Sequence, residues 1–543
     1  MSDGYSAIRR GDTYAAPISH PGANTWSTPN HNDGDKMINA IRRSAACAGI
    51  VGWAFLCAVA LPAQAAPKTI QNDVFWRDTS NNPVYSQGGG ILKVGGTYYW
   101  YGAKYNGAVT YAANPVSKNS DTSFNAVTVY SSSDLATWKF EGNALSAGAA
   151  GSVLDPANWI GRMGVVYNSS TQKYVLITQY YSASTGNAVL FATSNTPTGP
   201  FTYHHVQTQI TNVSSAGTGD QTVFTDDNGL SYLVFSNAGG RANAYVAPLR
   251  ATDSLNIEPA TLISTSSSGG REGNAMFKYN GTYYFCSSDL HGWNASHTYY
   301  LKANAILGPY TAEAVMGGTD ADFSHVSQTG FFIPVVGSSA TTILFAGDRW
   351  SDFAGNGLGY NQWMPISFSG TTPTLNSVSQ FNLDAAAGTW TVGAGNNYIL
   401  NPSFEADRVA QNDLAGWTNW TNLTGVNPNY NALGGHTGRW SMMQSHTAAY
   451  SASRYQTMSG LPNGTYTLKA WVKSSGGQSV AQIFAKNYGG SELDVSFNSA
   501  ISSWQQVTIS NIAVTAGKID VGVYSVANAN NWVMADDFSL IKN

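Results

Sequence analysis

The sequence predicts an all-β protein, a five-bladed β-propeller followed by a β-sandwich (jelly-roll) domain, and three observations carry that prediction. Charged residues are only 11% of the 543 residues, while aromatics reach 12% and glycine counts 56. Ordinary soluble domains carry about 25% charged residues, and disordered chains are charged and poor in aromatics. The profile therefore fits glycine-punctuated strands with uncharged polar loops. Second, five segments of the chain share one hairpin shape. Third, a Gly/Ala/Asn-rich stretch at 391–396 separates these segments from a second run of short alternating strands. At roughly 150 residues per domain, the length holds two or three domains.

The N-terminal 66 residues read as an extension and a signal peptide. Met37 to Ser44 is basic, residues 45–61 are apolar, and Ala63-Gln64-Ala65 places small residues at the −3 and −1 positions of a cleavage site. Met37 is the expected natural start, since residues 1–36 are polar and carry no targeting pattern. Cleavage would leave a secreted or periplasmic chain with 22 basic and 27 acidic residues and no membrane association. The overall charge of −4, with no Lys/Arg run longer than two, argues against nucleic acid as a partner. Cys47 and Cys57 fall in the removed segment. Cys286 then stands alone in a strand pattern, reads as a small buried hydrophobe, and has no intrachain disulfide partner.

Each of the five repeats is an apolar strand, a short polar turn and a Tyr-rich strand, at 90–100, 165–177, 222–234, 275–285 and 331–345. Asn228-Gly229 and Asn280-Gly281 are strong hairpin turns. The repeat spacing leaves room for a four-stranded sheet at each repeat, and five such sheets around an axis make a propeller over 67–393. The sandwich follows at 396–543.

In a propeller the innermost strand of each blade lines the axis. Aligning the hairpins places Gln87, Arg162, Asp220 and Glu272 at equivalent points, with Ser327-Gln328 near the fifth. Polar and charged groups thus converge from several blades of a chain with few charges. Asp220 and Glu272 are expected to face each other across one axial pocket, with Arg162 and Gln87 on its wall.

Residues 70–390 resemble glycoside hydrolase family 43 in several motifs that fall in order: Ser132-Ser133-Asp134-Leu135-Ala136-Thr137-Trp138, Gly219-Asp220-Gln221-Thr222, Arg271-Glu272-Gly273-Asn274 and Gly347-Asp348-Arg349-Trp350. The 90–102 hairpin and Gly292-Trp293-Asn294 are similar to the exo-β-1,3-galactanase-like branch. The resemblance implies a five-bladed propeller and inverting hydrolysis, in which an acid protonates the leaving oxygen and a base activates water, roughly 6.5–9.5 Å apart. Glu272 matches the general acid and Asp220 the carboxylate that tunes it. The family's base position holds Gln87, and the branch-specific carboxylates are replaced by Gly161 and Gln221. Asp155 and Asp289 are replacement candidates for the base, with Gln87 a candidate for positioning water. Arg162, Gln221, Trp293, His325, Asp348, Arg349 and Trp350 are candidate substrate-binding residues; Trp159 and Trp363 are further candidates for the sugar platform. His325 falls where the family often has an axial histidine.

The segment 396–543 resembles CenC-like carbohydrate-binding modules through Asn401-Pro402-Ser403-Phe404-Glu405 and Asp536-Asp537-Phe538-Ser539-Leu540. Trp420, Tyr430, Trp440 and Trp532 are candidates for its binding face. The chemistry requires no cofactor and no catalytic metal ligand set is evident. Glu405 and Asp537 are candidate ligands of a structural Ca²⁺. The expected function is that of an exo-glycosidase acting on galactan or arabinogalactan side chains, a polysaccharide or oligosaccharide substrate. An α-L-arabinofuranosidase, β-galactofuranosidase or β-xylosidase on the same fold, or a non-catalytic carbohydrate-binding protein, are the alternatives.

Overall fold

The computed structural model describes residues 66–115, 119–350 and 360–543. The extension and signal peptide, with Met37, Cys47 and Cys57, lie outside the described residues. Among those described, no helix is long and apolar enough to cross a membrane.

The described chain is overwhelmingly β. Five four-stranded antiparallel sheets follow one another, each pairing its strands in chain order. Their first strands are Gln87–Val94, Trp159–Asn168, Gln221–Thr225, Arg271–Tyr279 and Gln328–Val336. Each first strand packs against the first strand of the next sheet, and the fifth returns to the first, which closes a ring. The five hairpins expected from the repeats open these five sheets. The two-residue turn at Asn280-Gly281 joins Tyr279 to its partner Thr282, with both turn residues at positive φ (47° and 78°). That is the backbone twist a tight hairpin needs.

Alternation drives the packing. Residues that point away from each sheet's surface on one side meet the neighbouring sheet, so every adjacent pair of sheets shares its own hydrophobic cluster. The seam between the fifth and first sheets is built from four tryptophans. Trp76, Trp100, Trp138 and Trp363 have ring centroids 4.8–5.9 Å apart. Removing a fully buried ring such as Trp100 costs about 3–5 kcal/mol. A three-stranded sheet covers this seam, in which Lys68–Gln71 pairs with Gln380–Asp384 and that strand with Thr389–Val392. The two ends of the ring are thereby tied together. Cys286 is free and fully buried between the fourth and fifth sheets.

Two five-stranded antiparallel sheets form the C-terminal part. One runs in the order Thr418–Thr421, Tyr450–Ser459, Lys518–Ala527, Gln478–Lys486, Leu493–Ser496. The other is Asn429–Leu433, Trp440–Ser445, Trp532–Lys542, Gly464–Ser474, Ile501–Val514. One core, including Trp440, Leu468, Ile483, Val521 and Leu540, fills the space between them. Arg408 joins this part to the ring. Its guanidinium donates to the Ala295 carbonyl at 2.9 Å and lies 4.2 Å from the Phe323 ring centroid.

Candidate active site

Four of the five innermost strands break register close to their first residues, at Gln87/Gly90, Gly161/Met163, Glu272/Ala275 and Thr329/Phe331. A bulge inserts one extra residue and re-aims the side chains around it. Here the bulges turn polar groups toward the ring's centre. Gly273 sits at φ 60°, and a Cβ there would come within 2.5 Å of the Thr329 carbonyl. Glycine is therefore required, and its N–H is free to donate to Asp220 Oδ2 at 2.9 Å. Gly88, at the matching place in the first sheet, donates to Asp348 Oδ1 at 3.0 Å.

The result is a cavity of about 320 Å³ lined by Asp220, Glu272, Arg162, Arg241, Gln179, Gln328 and an aromatic arc. The arc runs Tyr105, Trp159, Trp293, Trp350, with successive ring centroids 5.4, 5.8 and 5.0 Å apart. The size suits a small ligand. Arg162 is the central strut. Its Nε donates to Asp220 Oδ2 at 2.8 Å, Nη1 to Asp348 Oδ2 at 3.1 Å and Nη2 to Gln328 Oε1 at 2.7 Å. Gln328 Oε1 also accepts from Trp350 Nε1 at 2.8 Å, and its Nε2 donates to Glu272 Oε1 at 2.8 Å. Arg241 completes the circuit, 2.5 Å from Glu272 Oε2 and 3.8 Å from Asp220 Oδ1.

Electrostatics separates the two carboxyls that line the cavity. Burial pushes Glu272 up, the Asp220 charge pushes further, and Arg241, Arg162 and Gln328 pull only part of the way back, leaving it at about 7. Burial also works against ionised Asp220, but the guanidinium groups of Arg162 and Arg241 and the Gly273 N–H outweigh it and hold it below the ordinary carboxylate value. Two carboxyls pushed apart in this way, one an acid and one an anion near neutral pH, are the arrangement that acid catalysis uses.

Asp220 and Glu272 both line the cavity, and Arg241 lies within reach of each. Several expected positions differ. Gln87 is buried behind the wall, because the bulge puts Gly88 there instead. Asp155 lies outside the cavity in the loop before the second sheet, where it accepts the Gly151 and Ala157 amides at 2.5 and 2.8 Å. Asp289, at the far end of the fourth sheet's second strand, pairs with Arg408 at 3.4 Å. Gln221 points the other way from its neighbour Asp220 and accepts from Thr218 Oγ1 at 2.7 Å. Asp348 sits beneath the cavity and holds Arg162. His325 and Arg349 belong to a separate cluster around Asp73, and Trp363 is core. Arg162, Trp159, Trp293 and Trp350 do line the cavity.

In the C-terminal part, Trp440 is buried in the core, while Tyr430 and Trp532 lie on the other sheet from Trp420. Glu405 and Asp537 are already engaged by the 436–440 loop: Glu405 Oε1 accepts the Arg439 and Trp440 amides, and Asp537 binds His436 and Thr437. Among the described residues, no group of three or more His, Cys, Asp or Glu side chains is arranged to hold a metal.

Arg241, Gln179, Tyr105 and Gln328 complete the cavity. Gln328 is the first residue of the fifth inner strand and so extends the series begun by the other hairpins. Arg241 comes from the loop between the second and third strands of the third sheet, and only the Gly239-Gly240 pair before it marks that loop in the sequence.

The comparisons with known proteins agree with this architecture. A variant of an exo-β-1,3-galactanase from Phanerochaete chrysosporium, crystallised with β-1,3-galactotriose, matches with a TM-score of 0.54 at 22% identity, over 86% of this chain and 99% of that one. An exo-β-1,3-galactanase from Clostridium thermocellum matches with a TM-score of 0.53 at 21% identity, over 88% and 100%. At such identities the likeness establishes the fold, and its span takes in both the ring and the C-terminal sheets. Among curated relatives, an arabinoxylan arabinofuranohydrolase from Bacillus subtilis (strain 168) is 25% identical over 229 residues, 36% of this chain. The chain spans 43% of that relative's length, and 12% of a 1,6-alpha-glucosyltransferase from Sporosarcina globispora that is 28% identical over 27% of this chain. Residues 80–324 match the sequence profile of glycosyl hydrolases family 43. This stretch is the glycosyl hydrolases family 43 domain of the chain.

Proposed function

We propose that this protein is an exported exo-glycosidase that removes sugars from β-1,3-linked galactan or arabinogalactan side chains. In this reading the five-sheet ring is a five-bladed β-propeller, and the two C-terminal sheets are a β-sandwich. The observation that carries it is Glu272, a buried carboxyl pushed up to about 7 inside an aromatic-walled cavity, beside Asp220, which two guanidinium groups hold below the ordinary carboxylate value.

The chemistry follows from the groups present. Glu272 in its protonated form gives its proton to the glycosidic oxygen as the C–O bond breaks, while a water forms the new C–O bond at the anomeric carbon and the proton it releases passes to solvent, from which Glu272 is reprotonated. Asp220, anchored by Arg162 and the Gly273 amide, keeps that proton on Glu272 until substrate arrives, through like-charge repulsion in a low-dielectric pocket. Gln328 holds Glu272 Oε1 and so fixes the direction of transfer. The indoles of Trp293 and Trp350 supply flat apolar surfaces for the C–H face of the ring. Inversion also needs a base roughly 6.5–9.5 Å from the acid; Asp220, tied to Arg162 and the Gly273 amide, is read here as the tuning carboxylate.

Two observations favour other readings. The curated likeness to an arabinofuranohydrolase supports α-L-arabinofuranose as the sugar removed. The lack of a further carboxylate among the described lining residues supports a binding protein without turnover. The deciding experiment is to incubate the chain with β-1,3-galactotriose, arabinoxylan and nitrophenyl arabinofuranoside and to identify the released sugar. Galactose from the trisaccharide is expected. Arabinose release alone replaces the galactanase reading, and binding without release replaces the enzyme reading.

A further inference from the structure

We propose that Arg408 of the C-terminal part is a positioning residue of the ring cavity, holding the loop between Asp289 and Ser296 so that the Trp293 indole stands in the aromatic arc. That a sugar meets this indole rests on the reading of the chain as a glycosidase; the placement of the indole rests on the loop.

The fourth sheet's second strand, Thr282–Asp289, ends in Asp289, and the chain re-enters the sheet at Thr298–Ala303. Between them the loop turns at Gly292, φ 62°, and delivers Trp293 to the cavity wall between Trp159 and Trp350. Inside the loop, Asn294 Nδ2 donates to the His291 carbonyl at 3.2 Å. A further grip comes from the C-terminal part. Arg408 Nη1 donates to the Ala295 carbonyl at 2.9 Å and stands 3.4 Å from Asp289 Oδ2. One cation thus ties together the two ends of the loop, with Trp293 between them. The pair is shielded, with the Arg408 side chain 14% exposed and that of Asp289 25%, so salt screens it less than it would a surface pair.

The same guanidinium covers the Phe323 ring, and Ala406 packs with Ala295 and Val326. Phe323 to Val326 is a left-handed turn, with φ of 49°, 56°, 56° and 55° at four residues that all carry side chains. A run of this conformation is costly and persists only where its surroundings over-determine it. Part of that support comes from the C-terminal part, through Arg408 and Ala406. The turn is in turn coupled to the loop. The Ser296 N–H donates to the Ser327 carbonyl at 3.1 Å, and Ser324 Oγ to the Ser296 carbonyl at 2.8 Å. Arg408 itself has a φ of 65°, a further left-handed backbone at the same contact. A residue that only joined the two parts would be indifferent to which segment it touched. This one grips, at both ends, the loop that carries Trp293, and it braces the turn against which that loop is hydrogen-bonded.

The test uses the full chain labelled with 5-fluorotryptophan and read by fluorine NMR. The Trp293 signal is the one lost in Trp293→Phe. In Arg408→Ala that signal should shift or broaden, while the signals of Trp100 and Trp363, in the seam between the fifth and first sheets, stay in place and show the fold intact. Arg408→Lys can present one nitrogen to the same two acceptors and should restore most of the parent signal. Asp289→Asn weakens one grip and keeps the other, so it should move the signal less; it carries the test if Arg408→Ala fails to fold. On β-1,3-galactotriose, Arg408→Ala should raise KM about three- to tenfold, the worth of one aromatic contact. The change in kcat should be smaller, because the turn before Gln328 keeps its own bond from the His325 N–H to Asp322. In a Trp293→Ala background the same change should add nothing to KM, since the two residues act through one contact. A residue that merely joins the two parts would lower Tm and leave these readouts alone. The proposal is overturned if the Trp293 signal of the folded variants coincides with the parent's, or if the KM effect persists in full without Trp293. If the signal moves as expected and no sugar is turned over, the placement stands and the glycosidase reading falls.

Discussion

Two charged clusters lie within this molecule, and they behave in opposite ways. In and beneath the ring cavity three carboxyls, Asp220, Glu272 and the underlying Asp348, meet two guanidinium groups, Arg162 and Arg241. The cluster near the C-terminal sheets sets Asp73 and Asp322 against His325 and Arg349. There His325 Nε2 is 3.1 Å from Asp73 Oδ2, its Nδ1 is 3.6 Å from Asp322 Oδ2, and Arg349 Nη1 is 2.7 Å from Asp73 Oδ1. Burial works against the ionised forms of Asp220, Glu272 and Asp348 in the first place and of Asp73 and His325 in the second. In the second cluster charges balance, so each has an opposite partner: His325 is pushed up to about 10 by Asp73 and Asp322, and Asp73 is held well below the usual carboxylate range by His325 and Arg349. In the cavity one carboxyl is surplus. Glu272 meets burial and the Asp220 charge together and is left near neutrality. A titrating acid thus marks unbalanced charge, whereas saturated ion pairs mark structure.

The sharpest test of that contrast is Glu272→Gln. It keeps shape and hydrogen bonding but removes the transferable proton, and kcat on an oligosaccharide should fall by about 10²–10⁴. Nitrophenyl glycosides, whose leaving group needs little protonation, should lose less. A similar loss on both substrates would remove Glu272 from the acid role.

Next in size is Asp73→Asn, which leaves His325 and Arg349 short of a buried partner. Thermal unfolding should register a loss of about 3 kcal/mol, with catalysis at low temperature little changed. The pH dependence has a definite sign. The raised His325 contributes stability that is complete below its ordinary value of 6.5 and is lost as pH climbs toward about 10. The lowered Asp73 contributes stability present above its ordinary 3.8 and lost as pH falls below that. The parent Tm should therefore be highest between these values, and its decline above pH 6.5 should flatten in the variant.

Two smaller changes move the cavity in opposite directions. Asp220→Asn removes the like charge that raises Glu272, so the alkaline limb of the pH–rate profile should shift to lower pH. Arg241→Met removes a charge that lowers Glu272, so that limb should shift to higher pH, and by less, since the effect of Arg241 on Glu272 is the weaker of the two. Shifts of the same sign in both variants would break the charge-balance account.

Much of this architecture was legible before any coordinates. Period-two alternation and Asn-Gly turns are local properties, so the five hairpins, the change near 391–396 and the second set of strands could be read directly. Arg162, Asp220 and Glu272 could be placed in one cavity because each stands within the first few residues of an innermost strand or just before it, a position that repetition defines. Gln87 and Gln221 have nearly the same sequence position and yet miss the cavity. A bulge shifts the phase of one strand, and one residue's step flips a side chain to the other face. Neither is encoded in the hairpin pattern. Arg241 and Gln179 escaped because one lies in a loop and the other on a second strand, and only the folding of neighbouring sheets brings them to the first. The same holds for His325: its motif suggests the axis, but its partners Asp73 and Ser377 lie 252 and 52 residues away. Local chemistry thus determined which elements form and which strands bear charge. The tertiary structure decided which charges share one dielectric pocket, and so which carboxyl keeps its proton, because Coulomb interaction and burial depend on distance in space rather than along the chain.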